Sequence, residues 1–224
     1  MNLFYVAKSA RKKHISVNKK LMTKGVNIID PYNTYIDADA TIGAGTVVHP
    51  NCHINSGCVI GADCVIGPNT TIDDCHIGNG TTIVNSVLCQ SKIGNNTSIG
   101  PFAYIRPNCE IGDKIKVGDF VELKNSKISD GTKISHLTYV GDSDVGCNVN
   151  FGCGTVTVNY DGTHKHRTVI GDNVFIGCNA NLVAPVKINN HAFIAAGSTI
   201  TDDVEADSLA IARARQVVKS GWNK

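Results

Sequence analysis

The sequence predicts an all-β fold: a parallel β-helix of hexapeptide repeats, with a short N-terminal helix and one extruded loop. Three observations predict it. Aliphatic residues recur about every six positions through most of the chain. A small residue (Thr, Ser, Ala or Cys) often follows four positions later, and glycine often follows directly. With 22 glycines and only 6% aromatic residues in 224, the core must be built from Ile, Val, Leu and small side chains. A period of six fits neither a 3.6-residue helix nor a hairpin ladder. It fits short strands joined by tight corners, three to a coil, with aliphatics stacking inward coil on coil.

The chain opens with a basic segment. Residues 1–29 hold no acid, and seven Lys/Arg precede Gly25 (Lys8, Arg11, Lys12, Lys13, Lys19, Lys20, Lys24). That leaves 21 − 7 = 14 bases against 19 acids, a net of −5 for the remainder. Residues 1–24 read as a basic helical linker or arm, solvated, with Gly25 and Asp30-Pro31 ending it. Residues 25–224 form the domain proper. The arm lacks the interleaved aromatics of a nucleic-acid surface, so no nucleic acid is expected. No run of 18 apolar residues and no apolar leader with a small-residue cleavage site occurs. No membrane span or signal peptide is expected, and the cytoplasm is the expected compartment.

The repeat then runs from Ile36 in steps of six to Ile72 and, after a five-residue step, through Ile77 and Ile83. It is irregular at Val87-Leu88 and resumes from Ile93 to Leu123. Five-residue steps introduce Ile128, Ile134, Val140 and then Val145, Phe151; a last run spans Ile170 to Ile200. From 36 to 200 this makes about nine coils of eighteen residues. The glycines that follow aliphatics (Gly43, Gly61, Gly67, Gly94, Gly100, Gly112, Gly171, Gly177) are expected at corners that need unusual dihedrals. Of nine cysteines, Cys52, Cys58 and Cys64 take the small-residue position that Thr46, Thr70 and Ala103 hold elsewhere. They read as buried apolar residues; the odd count and the lack of any CxxC argue against disulfides and zinc.

Register is lost between Phe151 and Ile170, around the polar "TVNYDGTHKHRT" (157–168). A loop extruded from a solenoid is either a tolerated insertion or the place where binding residues collect. Arg106 and Lys124 follow Ile105 and Leu123 at a spacing of eighteen, so they share a corner of adjacent coils, with their backbones about 4.8 Å apart. Stacked cations repel unless something anionic joins them, and a phosphate would suit. The alternative is two solvated cations splayed apart. Tyr139 precedes Val140 and points outward on the same face, His136 sits at the corner leading into it, and Asn150 points outward on an adjacent face. Arg106, Lys124, His136 and Tyr139 are therefore expected to converge on one edge of three successive coils. Histidine as a residue type titrates near neutral pH, so a histidine beside a cation pair is a general-base candidate.

These residues lie in stretches that resemble a known family: "IGPFAYIRP" (99–107), "VGDFVELKNS" (117–126), "SHLTYVGD" (135–142), "NVNFGCGTVTVNYDG" (148–162), "IAAGSTIT" (194–201) and "SLAIARARQ" (208–216), with "GVNIIDPYNTYI" (25–36) and "NLVAPV" (181–186). The family is the C-terminal acetyltransferase domain of the bifunctional N-acetylglucosamine-1-phosphate uridyltransferase/glucosamine-1-phosphate acetyltransferase. The resemblance implies a left-handed β-helix and acetyl transfer from acetyl-CoA to the amine of glucosamine 1-phosphate, a step of UDP-GlcNAc and cell-wall precursor synthesis. It implies His136 as the base; Arg106, Lys124 and Lys165 on the sugar phosphate; and Tyr139 and Asn150 on the sugar. Asn159, Tyr160, Ala196 and Arg213, with Cys153 and Cys178, would border the acetyl-CoA groove. The family often has Ala or Ser where Cys153 and Cys178 stand. It works as a homotrimer with sites between subunits, Lys165 serving a neighbour's site, and needs no metal for this half-reaction. The Gly-rich nucleotide-binding start of the uridyltransferase half has no counterpart here. The chain would be either a piece of the bifunctional enzyme or a stand-alone acetyltransferase, and uridyl transfer is not assigned to it. Other readings are a hexapeptide acyltransferase for another acceptor and a non-catalytic β-helix scaffold. A metal site of three converging histidines finds no convincing set.

Overall fold

A computed structural model describes residues 3–222. The fold is the all-β parallel β-helix that the sequence predicts, left-handed as the resemblance implies, with one helix, α1 (Leu3–Met22). Its strands form three parallel sheets of eleven, ten and nine strands, each strand pairing with those one coil before and after. The first sheet runs from Asn27–Ile28 to Leu209–Ala210, the second from Tyr35–Ile36 to Thr199–Ile200, and the third from Thr41–Ile42 to Val186–Ile188. This is about ten coils rather than nine. The first sheet gains a strand at each end, where Ile28 is out of six-residue register with Ile36 and Ala210 with Ile200.

The inward aliphatics stack directly. On the second sheet Ile54 pairs with Ile72, Ile72 with Leu88, Leu88 with Ile105, Ile105 with Leu123 and Leu123 with Val140. All are buried, and each such side chain contributes about 1.5–3 kcal/mol relative to exposure. The apparent irregularity at Val87-Leu88 is therefore a regular rung. The register also survives Phe151 for one more hexad. Thr157 is buried and pairs with Leu182, in line with Val140. Its hydroxyl accepts from the Gly141 N–H at 2.8 Å. A buried hydroxyl so satisfied can stand where an aliphatic is expected, which is why an apolar count loses the repeat there.

The glycine expectation needs correction. Of the eight glycines that follow aliphatics, only Gly100 has a positive φ, at 103°. At the other seven, a Cβ would lie 2.2–2.9 Å from atoms of the next coil. They are glycines because coils approach there, while asparagines such as Asn51, Asn69 and Asn179 take the left-handed corners. The cysteine reading holds: Cys52, Cys58 and Cys64 are buried and free, and burial pushes each thiol up.

Helix α1 is more than a solvated arm. Its basic residues face outward, but Leu21 and Asn18 are buried against the first coil. The Asn18 amide donates to the Pro31 and Thr34 carbonyls at 2.9 and 2.7 Å. An end coil has no preceding coil to cover its apolar rungs, and the helix supplies that cover. Gly25, at φ 91°, ends it.

Candidate active site

The cation pair is built by the second sheet. Ile105 pairs with Leu123 and Leu123 with Val140, and the residues that follow them, Arg106 and Lys124, stack on one corner. Each cation already has a carboxylate. Arg106 Nη1 lies 2.8 Å from Glu122 Oε1, and Lys124 Nζ lies 3.1 Å from Asp142 Oδ2. The stack therefore does not itself require an outside anion, and the two cations do not splay into water. Lys165, from the extruded loop, adds a third cation against two anions. Direct contact with Lys124 holds the Lys165 amine below the usual lysine range. Two ammonium groups in contact leave a position where an anion would relieve the repulsion. Arg106, Pro107, Asn108, Lys124, Asn125, Asp142 and Lys165 line a concavity of about 370 Å³ there.

Asp142 organises this cluster. Burial would raise its pKa, but hydrogen bonds from Asn125, Lys124 and Asn159 outweigh that and hold it below the usual carboxylate range. A depressed carboxylate contributes stability above its unfolded pKa and loses it as pH falls through the folded value. The loop carrying Lys165 is folded back on its own chain by an antiparallel bridge between Tyr160 and Lys165. Arg167 anchors its return with two bonds to Asp144, at 2.9 and 2.6 Å. Asp161 ties the tip, accepting from the His164 and Thr163 amides and bonding the His166 ring, and its pKa falls to about 2. The resemblance put Lys165 in a neighbour's site; here it meets Lys124 of its own chain.

His136 ends the strand Lys133–His136 on the first sheet, paired in register with Lys116–Asp119 so that Asp119 faces His136. His136 Nδ1 lies 2.6 Å from Asp119 Oδ1, with the imidazole 56% exposed. The bond to His136 holds the Asp119 carboxyl below its usual range. Ile134 pairs with Phe151, Phe151 with Ile176 and Ile176 with Ile194. Two positions on from each, His136, Cys153, Cys178 and Ala196 therefore climb one corner. Cys153 is half-buried, Cys178 and Ala196 are exposed, and Arg213 lies above them near Gly197.

The expected convergence on one edge is thus corrected. His136 stands at the corner entering the second sheet, and Arg106 and Lys124 stand at the corner leaving it. The strand Tyr139–Gly141 lies between, a span of about 10 Å. Tyr139 bridges it. Its ring lies over Gly141, where a Cβ would come within 2.2 Å of the Tyr139 hydroxyl. The Asn159 amide reaches that hydroxyl at 3.4 Å and also donates to Asp142. Asn159, assigned to the cofactor groove by resemblance, is 8% exposed and turned into this polar cluster. Tyr160 is exposed on the loop, its hydroxyl donating to the Gly162 carbonyl at 2.6 Å. Asn150 is half-buried on the outer face of the first sheet, one coil beyond Lys133. Asp119, Glu122, Asn125 and Asp142 were missed in the sequence, although coil arithmetic places each beside a residue already chosen. Among the described residues no group of three His, Cys, Asp or Glu is arranged to hold a metal ion. None of their helices is long and apolar enough to cross a membrane.

The chain is thus a hexapeptide solenoid with a histidine at the foot of a ladder of small residues, one strand away from a cation cluster. The family model for bacterial transferase hexapeptide (six repeats) matches residues 39–74, 90–125 and 167–202. The chain is 53% identical over 206 residues to bifunctional protein GlmU of Clostridium botulinum (strain Kyoto / Type A2), covering 92% of this chain and 45% of that protein. To bifunctional protein GlmU of Geobacillus sp. (strain WCH70) it is 57% identical over 204 residues, 91% of this chain and 44% of that protein. A solved putative acetyltransferase from Desulfovibrio desulfuricans G20 is 15% identical, with a TM-score of 0.47 over 77% of this chain and 55% of that one. The chain spans less than half the length of the curated relatives it matches. Over that shared part it is similar to bifunctional protein GlmU, the family its motifs resemble.

Proposed function

We propose that this chain transfers the acetyl group of acetyl-CoA to the amine of glucosamine 1-phosphate, supplying the N-acetylated sugar phosphate for UDP-GlcNAc and cell-wall precursor synthesis in the cytoplasm. The observation that carries the reading is the placement of His136 and the Arg106–Lys124–Lys165 cluster at the two ends of one three-residue strand. A sugar phosphate laid across that strand puts its phosphate on the cations and its amine at the histidine. Tyr139 lies under the ring, and Asn150 borders it. The thioester would approach along the Cys153–Cys178–Ala196 ladder, with Arg213 above and Tyr160 beside the loop.

The neutral amine nitrogen forms a C–N bond to the thioester carbonyl carbon while His136 takes the amine proton. The C–S bond then breaks with its electron pair on sulfur. The imidazolium returns the proton there, giving the amide and free CoA. A thioester is already activated, so placement and a base carry the reaction, and no metal is required.

The test of this reading is acceptor choice. Glucosamine without phosphate is expected to lose about 10²-fold or more in kcat/KM, because the charge-assisted contacts to the cluster vanish. Equal rates for the two acceptors, or a preference for serine, would overturn it. By resemblance the chain is also expected to form a homotrimer. Light scattering at micromolar concentration should give three times the chain mass, and a monomer there would contradict the trimer.

A further inference from the structure

We infer that Asp119 is a positioning residue for His136: its carboxylate fixes the imidazole with the hydrogen on Nδ1 and leaves Nε2 to take the amine proton. The inference rests on the acetyl-transfer reading above.

The geometry is direct. Asp119 Oδ1 lies 2.6 Å from His136 Nδ1. An ionised carboxylate only accepts, so Nδ1 carries the hydrogen and Nε2 is the acceptor of the neutral ring. When Nε2 takes a proton from the attacking amine, the imidazolium forms beside a negative charge already in place. Nothing need reorganise at that moment.

The fold builds this pair at visible cost. Among the described residues, every other strand of the first sheet is two residues long, whereas Lys116–Asp119 and Lys133–His136 are four. The pairing carries on past the inward residues Val117 and Ile134 as far as Asp119 and His136. The two coils close tightly here: a Cβ on Gly118 would lie 1.9 Å from the Ser135 carbonyl oxygen. The next residues, Phe120 and Leu137, hold positive φ values of 53° and 44°. At the same corner Phe102, one coil earlier, holds 58° and its ring stacks on Phe120, while other coils place Asn51, Asn69, Gly154, Asn179 and Gly197. A bulky residue in the left-handed region is strained, and three successive coils carry one at the corner that holds the pair. The pair is not a generic surface contact either, because register alone would bring any two corner residues near. Among the described residues, only here does the strand pairing continue to bring a carboxylate onto a ring nitrogen.

The experiment compares Asp119→Asn and Asp119→Ala with the wild-type protein, in steady-state kinetics and in nitrogen-15 NMR of the histidine rings. The His136 signals are assigned by their loss in His136→Ala. Asp119→Asn keeps the shape, so folding is not at issue. The expected result is a fall in kcat of about 10- to 100-fold, smaller than removal of the base itself, with KM for glucosamine 1-phosphate within about twofold. In the wild type, neutral His136 should show a hydrogen-bearing Nδ1 and a bare Nε2, and Asp119→Ala should lose that preference. An unchanged kcat in an active protein, or an unchanged tautomer, would overturn the inference. If the wild type acetylates no sugar phosphate, the functional reading fails by itself. The tautomer then decides the Asp119 role alone, and its persistence in Asp119→Ala would refute that role.

Discussion

Replacing His136 by alanine is expected to lower kcat for acetyl transfer by about 10²- to 10⁴-fold, with KM for glucosamine 1-phosphate little changed. The magnitude follows from the role. The amine must lose a proton as its nitrogen bonds to the carbonyl carbon, and no other described side chain on that corner offers a basic nitrogen. Cys153 stands one coil further, half-buried, and is a poor substitute for an imidazole. The fold should survive the change. The imidazole is 56% exposed, its one bond to Asp119 is at the surface, and the inward rung beneath is Ile134, which is untouched. Unchanged thermal unfolding with a collapsed kcat separates lost chemistry from lost structure. A kcat within a few-fold of wild type would remove His136 from the base role.

Replacing Lys124 by alanine is expected to act on binding. KM for glucosamine 1-phosphate should rise about 10- to 100-fold, from the loss of one charge-assisted contact. A complication is built into the site. Lys124 and Asp142 side chains are only 18% and 6% exposed. Removing the ammonium leaves a carboxylate nearly buried and facing the incoming phosphate, which costs stability and repels substrate. The double variant Lys124→Ala/Asp142→Asn resolves the two effects. It should recover much of the lost stability while KM stays high. A Lys124→Ala protein with wild-type KM would contradict the phosphate cluster, and so would full recovery of KM in the double variant.

How much of this was legible beforehand depended on which side of the backbone carried the signal. Inward aliphatics repeat by necessity, because each coil must stack an apolar side chain on the last. The solenoid and the stacking of Arg106 on Lys124 were therefore countable. Thr157 escaped because a satisfied hydroxyl can fill an apolar rung. The glycines after Ile42 or Ile60 were visible, but their reason was not: the close approach of the next coil is a tertiary fact, and φ stays negative there. The site was legible as a set of cations and a histidine, yet their separation across the Tyr139–Gly141 strand was not. A hexad count gives the coil, the side and the corner, but not the width of the strand that holds two corners apart. Asp119 and Asp142 stayed hidden for a related reason. Carboxylates at corners are common on a polar surface, and only the register of Asp119 on His136 distinguishes this one. Asn159 turned inward because Asp142 needed donors, a demand that arises only once the coils are stacked.

The measurement that tests the account most directly is product formation. The folded protein is mixed with acetyl-CoA and glucosamine 1-phosphate, and the sugar phosphate is followed by mass spectrometry alongside the release of free CoA thiol. The account predicts N-acetylglucosamine 1-phosphate and thiol in equal amounts. Neither product, from a folded trimeric protein supplied with both substrates, would contradict it.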